Sequence, residues 1–180
     1  LRLAEIANEI LPPGVLNVVA GAGDVGAAIA SHPGINKIVF TGSSPTGRSI
    51  MQAASGNLKR LTLELGGNDA GIVLPDVDPK EVAQKLFAVC FHSNGPTCQA
   101  LKRLYVHADI YDEVCNEMAT IANSVKFGNG LEEDTDLGPL QNKEQLDIVC
   151  ELAADAKAAG AQFLTGGEAA AGPGYFFPPT

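Results

Sequence analysis

The chain has 180 residues, 46% of them hydrophobic, and sets 12 Lys and Arg against 21 Asp and Glu for a formal net charge of -9. That length holds one ordinary domain or parts of two, and the apolar share is normal for a chain that buries a core. Affinity for a phosphate backbone needs a clustered excess of basic residues, so nucleic acid is not an expected partner. No apolar run approaches the roughly 20 residues that span a bilayer, and no basic start with an apolar core marks a secretory leader; a cytoplasmic location without membrane association is the expectation. Cys90, Cys98, Cys115 and Cys150 have neither CxxC spacing nor the density of a disulfide scaffold, which predicts reduced thiols and no metal site.

Leu3, Ile6, Ala7 and Ile10 recur at helical spacing, and Pro12-Pro13-Gly14 ends that helix. Residues 16–20 read as a short strand, after which Gly21-Ala22-Gly23 turns the chain into a helix through Val25, Ala28 and Ile29, with Asp24 as its cap. Residues 37–40 form the next strand, and a helix follows from about Pro45 to Ala54. In residues 58–64, Leu61 and Leu63 alternate with Thr62 and Glu64, the period of a third strand. Successive strand-turn-helix units predict an α/β fold with parallel strands and ligands at their carboxyl ends.

Gly66-Gly67 marks the expected junction between residues 1–65 and 66–180. Beyond it, residues 70–74 read as a strand, and Asp78-Pro79-Lys80-Glu81 combines an Asp cap, Pro at the first helical position and a Glu three residues after the cap. The helix it starts carries Val82, Leu86, Val89 and Cys90 on its buried face. Residues 103–107 are a strand, 110–125 a helix, 128–139 an acidic exposed loop, 143–159 a helix, 162–165 a strand and 166–174 a surface loop. Leu1 falls inside a helical pattern and no terminating element follows Phe177, so a piece of a longer chain is expected.

Three stretches carry chemistry. Phe40-Thr41-Gly42-Ser43-Ser44-Pro45-Thr46-Gly47 is a glycine turn from strand to helix, where backbone N–H groups and the helix dipole can face an anion such as a cofactor pyrophosphate; it is equally a plain turn with a serine cap. Cys98 ends a Ser-Asn-Gly-Pro-Thr loop directly after a long helix. That composition gives a thiol the exposure a nucleophile needs, whereas Cys90, Cys115 and Cys150 lie within helices as small hydrophobes. Glu64 ends an apolar strand beside two glycines, where partial desolvation would raise its pKa toward that of a general base; the alternative is an exposed strand-end acid. His92, six residues before Cys98, raises a Cys-His hydrolase as a rival.

Taken together, these stretches resemble the aldehyde dehydrogenase superfamily along nearly the whole chain. The residues that carry the resemblance are Leu11-Pro-Pro-Gly-Val-Leu-Asn-Val-Val19, Ser31-His-Pro33 with Lys37-Ile-Val-Phe-Thr-Gly-Ser43, Leu63-Glu-Leu-Gly-Gly67, the loop from Gly95 to Cys98, Leu137-Gly-Pro139 and Gly174-Tyr-Phe176. The resemblance implies the end of a Rossmann-like coenzyme domain (1–65) followed by part of an α/β catalytic domain (66–180). It also implies NAD or NADP as cofactor, a small-molecule aldehyde as substrate and a homo-oligomer in the full-length protein. On the same basis Cys98 is the nucleophile and Glu64 the general base, while Gly42, Ser43 and Gly47 form the coenzyme turn and Leu65 and Gly66 lie on the nicotinamide side. The family's cysteine loop usually reads Asn-x-Gly-Gln-x-Cys, and this chain departs from it at Ser93 and Pro96. The rival from a different class is a dinucleotide-binding or structural homologue whose thiol Pro96 has disabled, and the isolated residues are expected to be inactive.

Overall fold

Two strand-helix-strand units organise the chain, and the computed structural model describes them within residues 1–180 as two compact bodies, Leu1–Leu65 and Gly66–Thr180. In the first, β1 (Lys37–Thr41) and β2 (Arg60–Glu64) pair in parallel, Lys37 opposite Arg60 and Thr41 opposite Glu64. A parallel pair cannot be closed by a hairpin, so a crossover is required, and α3 (Ser44–Ala54) supplies it. Helix α2 (Gly23–Ser31) packs on α3, and Ala30 of α2 and Ile50 and Ala54 of α3 are buried. The first helix, α1 (Arg2–Asn8), buries none of its residues, and Leu3 and Ile10 of the expected apolar stripe stand exposed.

The second body repeats the plan. Strands β3 (Asp69–Val73) and β4 (Leu101–Val106) are parallel, with a register shift between Asp69 and Ala70, and α4 (Pro79–Cys90) lies between them in sequence. Helix α5 (Tyr111–Ser124) packs against α4, closing a core of Val73, Leu86 and Val114 with Val82, Leu101, Leu104 and Met118 around it. The last helix is α6 (Lys143–Ala158), started by Asn142, whose side chain accepts the Gln145 N–H at 2.9 Å. None of the helices is long and apolar enough to cross a membrane.

Several expectations are corrected. Residues 16–20 and 162–165 are not strands, because neither has a ladder partner and a strand exists only through its pairing. The third strand begins at Arg60 rather than Leu58: Leu58 closes a 3-10 turn in the left-handed region, with φ 56°, and cannot belong to an extended ladder. Asp24 is not a cap; Ala22 takes that position without a side-chain bond, and Asp24 sits in the first turn, where its charge complements the helix dipole.

Candidate active site

At the end of β1 the chain enters α3 through Gly42 and Ser43. The Gly42 N–H donates to the Glu64 carbonyl at 3.0 Å, tying the turn to the end of β2. Ser43 is the helix cap: its Oγ accepts a long bond from Thr46 N at 3.4 Å and lies 2.9 Å from Thr46 Oγ1. Pro45 occupies the first turn without cost, since its missing N–H is one the helix would leave unpaired. Gly47 is buried, and a Cβ there would stand 2.9 Å from Leu65 Cδ2; what this glycine supplies is the close approach of α3 to Leu65. Beside the turn, a groove of about 600 Å3 runs between α2 and α3, with Gly23, Ala27, Phe40, Pro45, Thr46 and Ser49 among its walls. Nothing in the sequence pattern marked this groove, because its walls come from three elements.

Glu64 closes β2 and is exposed. The desolvation expected from its apolar strand is therefore not present in this chain. Gly42, Ser43, Gly47, Glu64 and Leu65 belong to the first body; Gly66 and Cys98 belong to the second.

The second body holds the cysteine loop from three sides. Ser93, Asn94 and Gly95 run consecutively in the left-handed region, with φ of 50°, 66° and 92°. Thr97 N then donates to the Gly95 carbonyl at 2.8 Å, a three-residue turn centred on Pro96. The ring's fixed φ near -65° suits the centre of an inverse γ-turn, so Pro96 fits this loop without displacing any hydrogen bond. Asn94 Nδ2 donates to the carbonyls of Gly138 at 2.8 Å and Pro139 at 2.9 Å, fastening the loop to a segment 44 and 45 residues away. On another side, the Lys102 ammonium donates to the Thr97 carbonyl at 2.8 Å and brings a cation to the residue before the thiol. On the third, Gly67 lies so near that a Cβ would stand 2.6 Å from the Cys98 carbonyl oxygen. Arg103 fixes that segment in turn, its Nε and Nη2 both donating to the Asn68 carbonyl at 3.1 and 2.8 Å.

Cys98 itself is exposed, alone among the four cysteines, and its backbone N–H meets no acceptor in the protein. Cys90, Cys115 and Cys150 are half-buried on their helices. Burial pushes the Cys90 thiol up, and the Cys115 thiol, one helical turn from Tyr111, holds that residue's hydroxyl above its ordinary pKa. No hydrogen bond joins His92 to Cys98, and no group of three His, Cys, Asp or Glu residues stands close enough to hold a metal ion. Gly67, Asn94, Lys102 and Arg103 are not legible as site residues in the sequence; only the glycine pair carries any signal there, as the expected junction. An open cleft of about 570 Å3 lies beside the loop, lined by Ser93, Asn94, Pro96, Asp136, Leu137 and Gln141.

The aldehyde dehydrogenase family model matches residues 1–180. A probable aldehyde dehydrogenase from a Pseudomonas species is 41% identical over 180 residues, covering 100% of this chain and 37% of that protein. Among solved structures, an aldehyde dehydrogenase from Bacillus cereus in complex with NAD+ superimposes with a TM-score of 0.92 at 39% identity, over 96% of this chain and 35% of its own. An NADP-dependent enzyme from E. coli gives a TM-score of 0.92 at 37% identity, over 98% of this chain and 37% of its own. The chain thus spans little more than a third of the length of these relatives.

Proposed function

The chain belongs to the aldehyde dehydrogenase family, and from that membership we propose that it is the central part of an NAD- or NADP-dependent aldehyde dehydrogenase, with Cys98 as nucleophile and Glu64 as general base. Residues 1–65 would be the end of the coenzyme-binding domain and residues 66–180 part of the catalytic domain. The observation that carries this reading is the cysteine loop: one exposed thiol out of four, a free backbone N–H beside it, and a loop held by Asn94, Lys102 and Gly67. A packed structural cysteine needs none of these.

The residues fit a dinucleotide. The groove between α2 and α3 is walled by small and apolar side chains, and added Cβ atoms at Gly23 and Gly26 would meet nothing within 4 Å. Next to it, the first turn of α3 offers the Ser43 hydroxyl and the positive end of the helix dipole to a pyrophosphate. Leu65 and Gly66 would lie on the nicotinamide side. When bound, the nicotinamide is the two-electron acceptor for aldehyde oxidation.

The remaining steps fall to the protein. The Cys98 thiolate attacks the aldehyde carbonyl carbon; a C–S bond forms, the carbonyl π electrons move to oxygen, and the Cys98 backbone N–H donates to the resulting oxyanion. After oxidation, Glu64 takes a proton from water as its oxygen attacks the thioester carbon. The C–S bond then breaks, releasing the carboxylic acid and the thiolate.

In the full-length protein, expected to be a homo-oligomer, Cys98→Ser should reduce aldehyde-dependent cofactor reduction to below about a thousandth of the parent rate. Glu64→Gln should leave the first-turnover burst and lower the steady-state rate by about 10²-fold, the scale of a general base. An unchanged rate in either variant removes that residue from the mechanism. Equal sluggishness of all four thiols toward iodoacetamide, with no turnover, would favour a disabled dinucleotide-binding homologue instead. Residues 1–180 alone are expected not to turn over, and cofactor reduction by them that Cys98→Ser abolishes would refute this.

A further inference from the structure

We propose that Asn94 is a positioning residue for Cys98, its carboxamide clamping the left-handed Ser93–Asn94 pair to the Gly138 and Pro139 carbonyls and so fixing where the thiol is presented. The reaction served is the one proposed above, and the inference rests on that reading.

The argument starts from backbone conformation. Ser93 and Asn94 both have positive φ, 50° and 66°, a region that asparagine tolerates better than most residues and serine does not favour. Two such residues in succession persist only where the surroundings over-determine them. The bonds within the loop are local: Asn94 N to the Phe91 carbonyl at 3.0 Å, Gly95 N to His92 at 2.9 Å, and Thr97 N to Gly95 at 2.8 Å. Local bonds shape the loop, and Lys102 holds its carboxyl end at the Thr97 carbonyl, but neither ties residues 93–95, which are left free to swing about the end of α4. The long-range side-chain bonds from residues 93–97 are the two from Asn94, and both use the same nitrogen, one hydrogen to each carbonyl. Because Asn94 lies four residues before Cys98, a swing released there is carried to the thiol, and misplacement by about 1 Å is enough to cost a large factor in rate.

The test uses the full-length protein and Asn94→Gly, which keeps a residue at ease with positive φ while deleting both donors. Hydrogen exchange at the protected Gly95 and Thr97 amides should speed up about tenfold, with the amides of α4 and α5 unchanged. Aldehyde oxidation should lose about tenfold in kcat while the KM for the cofactor stays within twofold, a split that general loosening of the fold would not give. Unaltered exchange at Gly95 and Thr97 overturns the clamp; faster exchange with unaltered kcat overturns its role in positioning. If Asn94→Gly fails to fold, Asn94→Asp is read by the same two measurements, since it keeps the shape and turns the donor into an acceptor facing two carbonyls. A parent protein that oxidises no aldehyde refutes the dehydrogenase reading, while the exchange rates still decide whether Asn94 holds the loop.

Discussion

Gly67 shows how little room the proposed nucleophile has. Its Cα hydrogens lie where any side chain would push on a backbone carbonyl, the Cys98 oxygen, 2.6 Å from the position of an added Cβ. A backbone oxygen cannot rotate away as a side-chain tip can. Gly67→Ala must therefore shift either the segment anchored by Arg103 at Asn68 or the cysteine loop itself. Overpacking of this kind typically costs about 1–3 kcal/mol. The expected outcome is a loss of that size in chemical denaturation, accompanied by a slower reaction of Cys98 with aldehyde. Full stability with full turnover in Gly67→Ala would mean that the loop does not press on Gly67. The neighbouring Gly66 has no such contact, since an added Cβ there would meet nothing within 4 Å, so Gly66→Ala is the matched control for the stability measurement alone.

At the scale of elements, both sheets are built by the same local chemistry: a strand, a capped helix and a parallel strand. The caps differ in quality. Asp78 Oδ1 accepts the Glu81 N–H at 2.9 Å, whereas Ser43 Oγ reaches Thr46 N only at 3.4 Å. Asp78 also places a carboxylate at the positive end of α4, which carries Leu86 of the core and leads into the cysteine loop. Asp78→Ala should lower the unfolding free energy by about 1 kcal/mol, measured by urea denaturation, and Asp78→Asn should recover most of it because the amide oxygen still caps. If Asp78→Ala leaves the denaturation midpoint in place, the cap contributes nothing to α4. Ser43→Ala is expected to cost less stability, since the bond it accepts from Thr46 N is long, and its effect should fall on cofactor affinity.

For the molecule as a whole, Cys90 makes stability depend on pH in the alkaline range. Burial raises the Cys90 thiol above its unfolded value of about 8.5, so the folded state holds this proton where the unfolded state has released it. Below the unfolded value both states are protonated and stability is complete; it declines as pH rises through the folded value. Denaturation midpoints measured from pH 7 to pH 10 should fall, and Cys90→Ala should flatten the fall. A slope unaffected by that substitution would assign the effect to another group.

The sequence by itself determined the helices, the β-α-β succession, the division near Gly66-Gly67 as an expectation, and the order of motifs that marks the family. These are legible because periodicity, caps and turn residues act over a few neighbouring positions: Asp78-Pro79-Lys80-Glu81 specifies a helix start without reference to anything distant. Residues 16–20 and 162–165 misled for the complementary reason, since an apolar segment becomes a strand only when another strand pairs with it. Tertiary structure alone decided that Glu64 is exposed in this chain, that Gly67 rather than Gly66 abuts Cys98, and that Asn94 reaches carbonyls 44 and 45 residues away. Contacts and burial depend on what the rest of the chain brings to a residue, and no window of neighbouring residues contains that information.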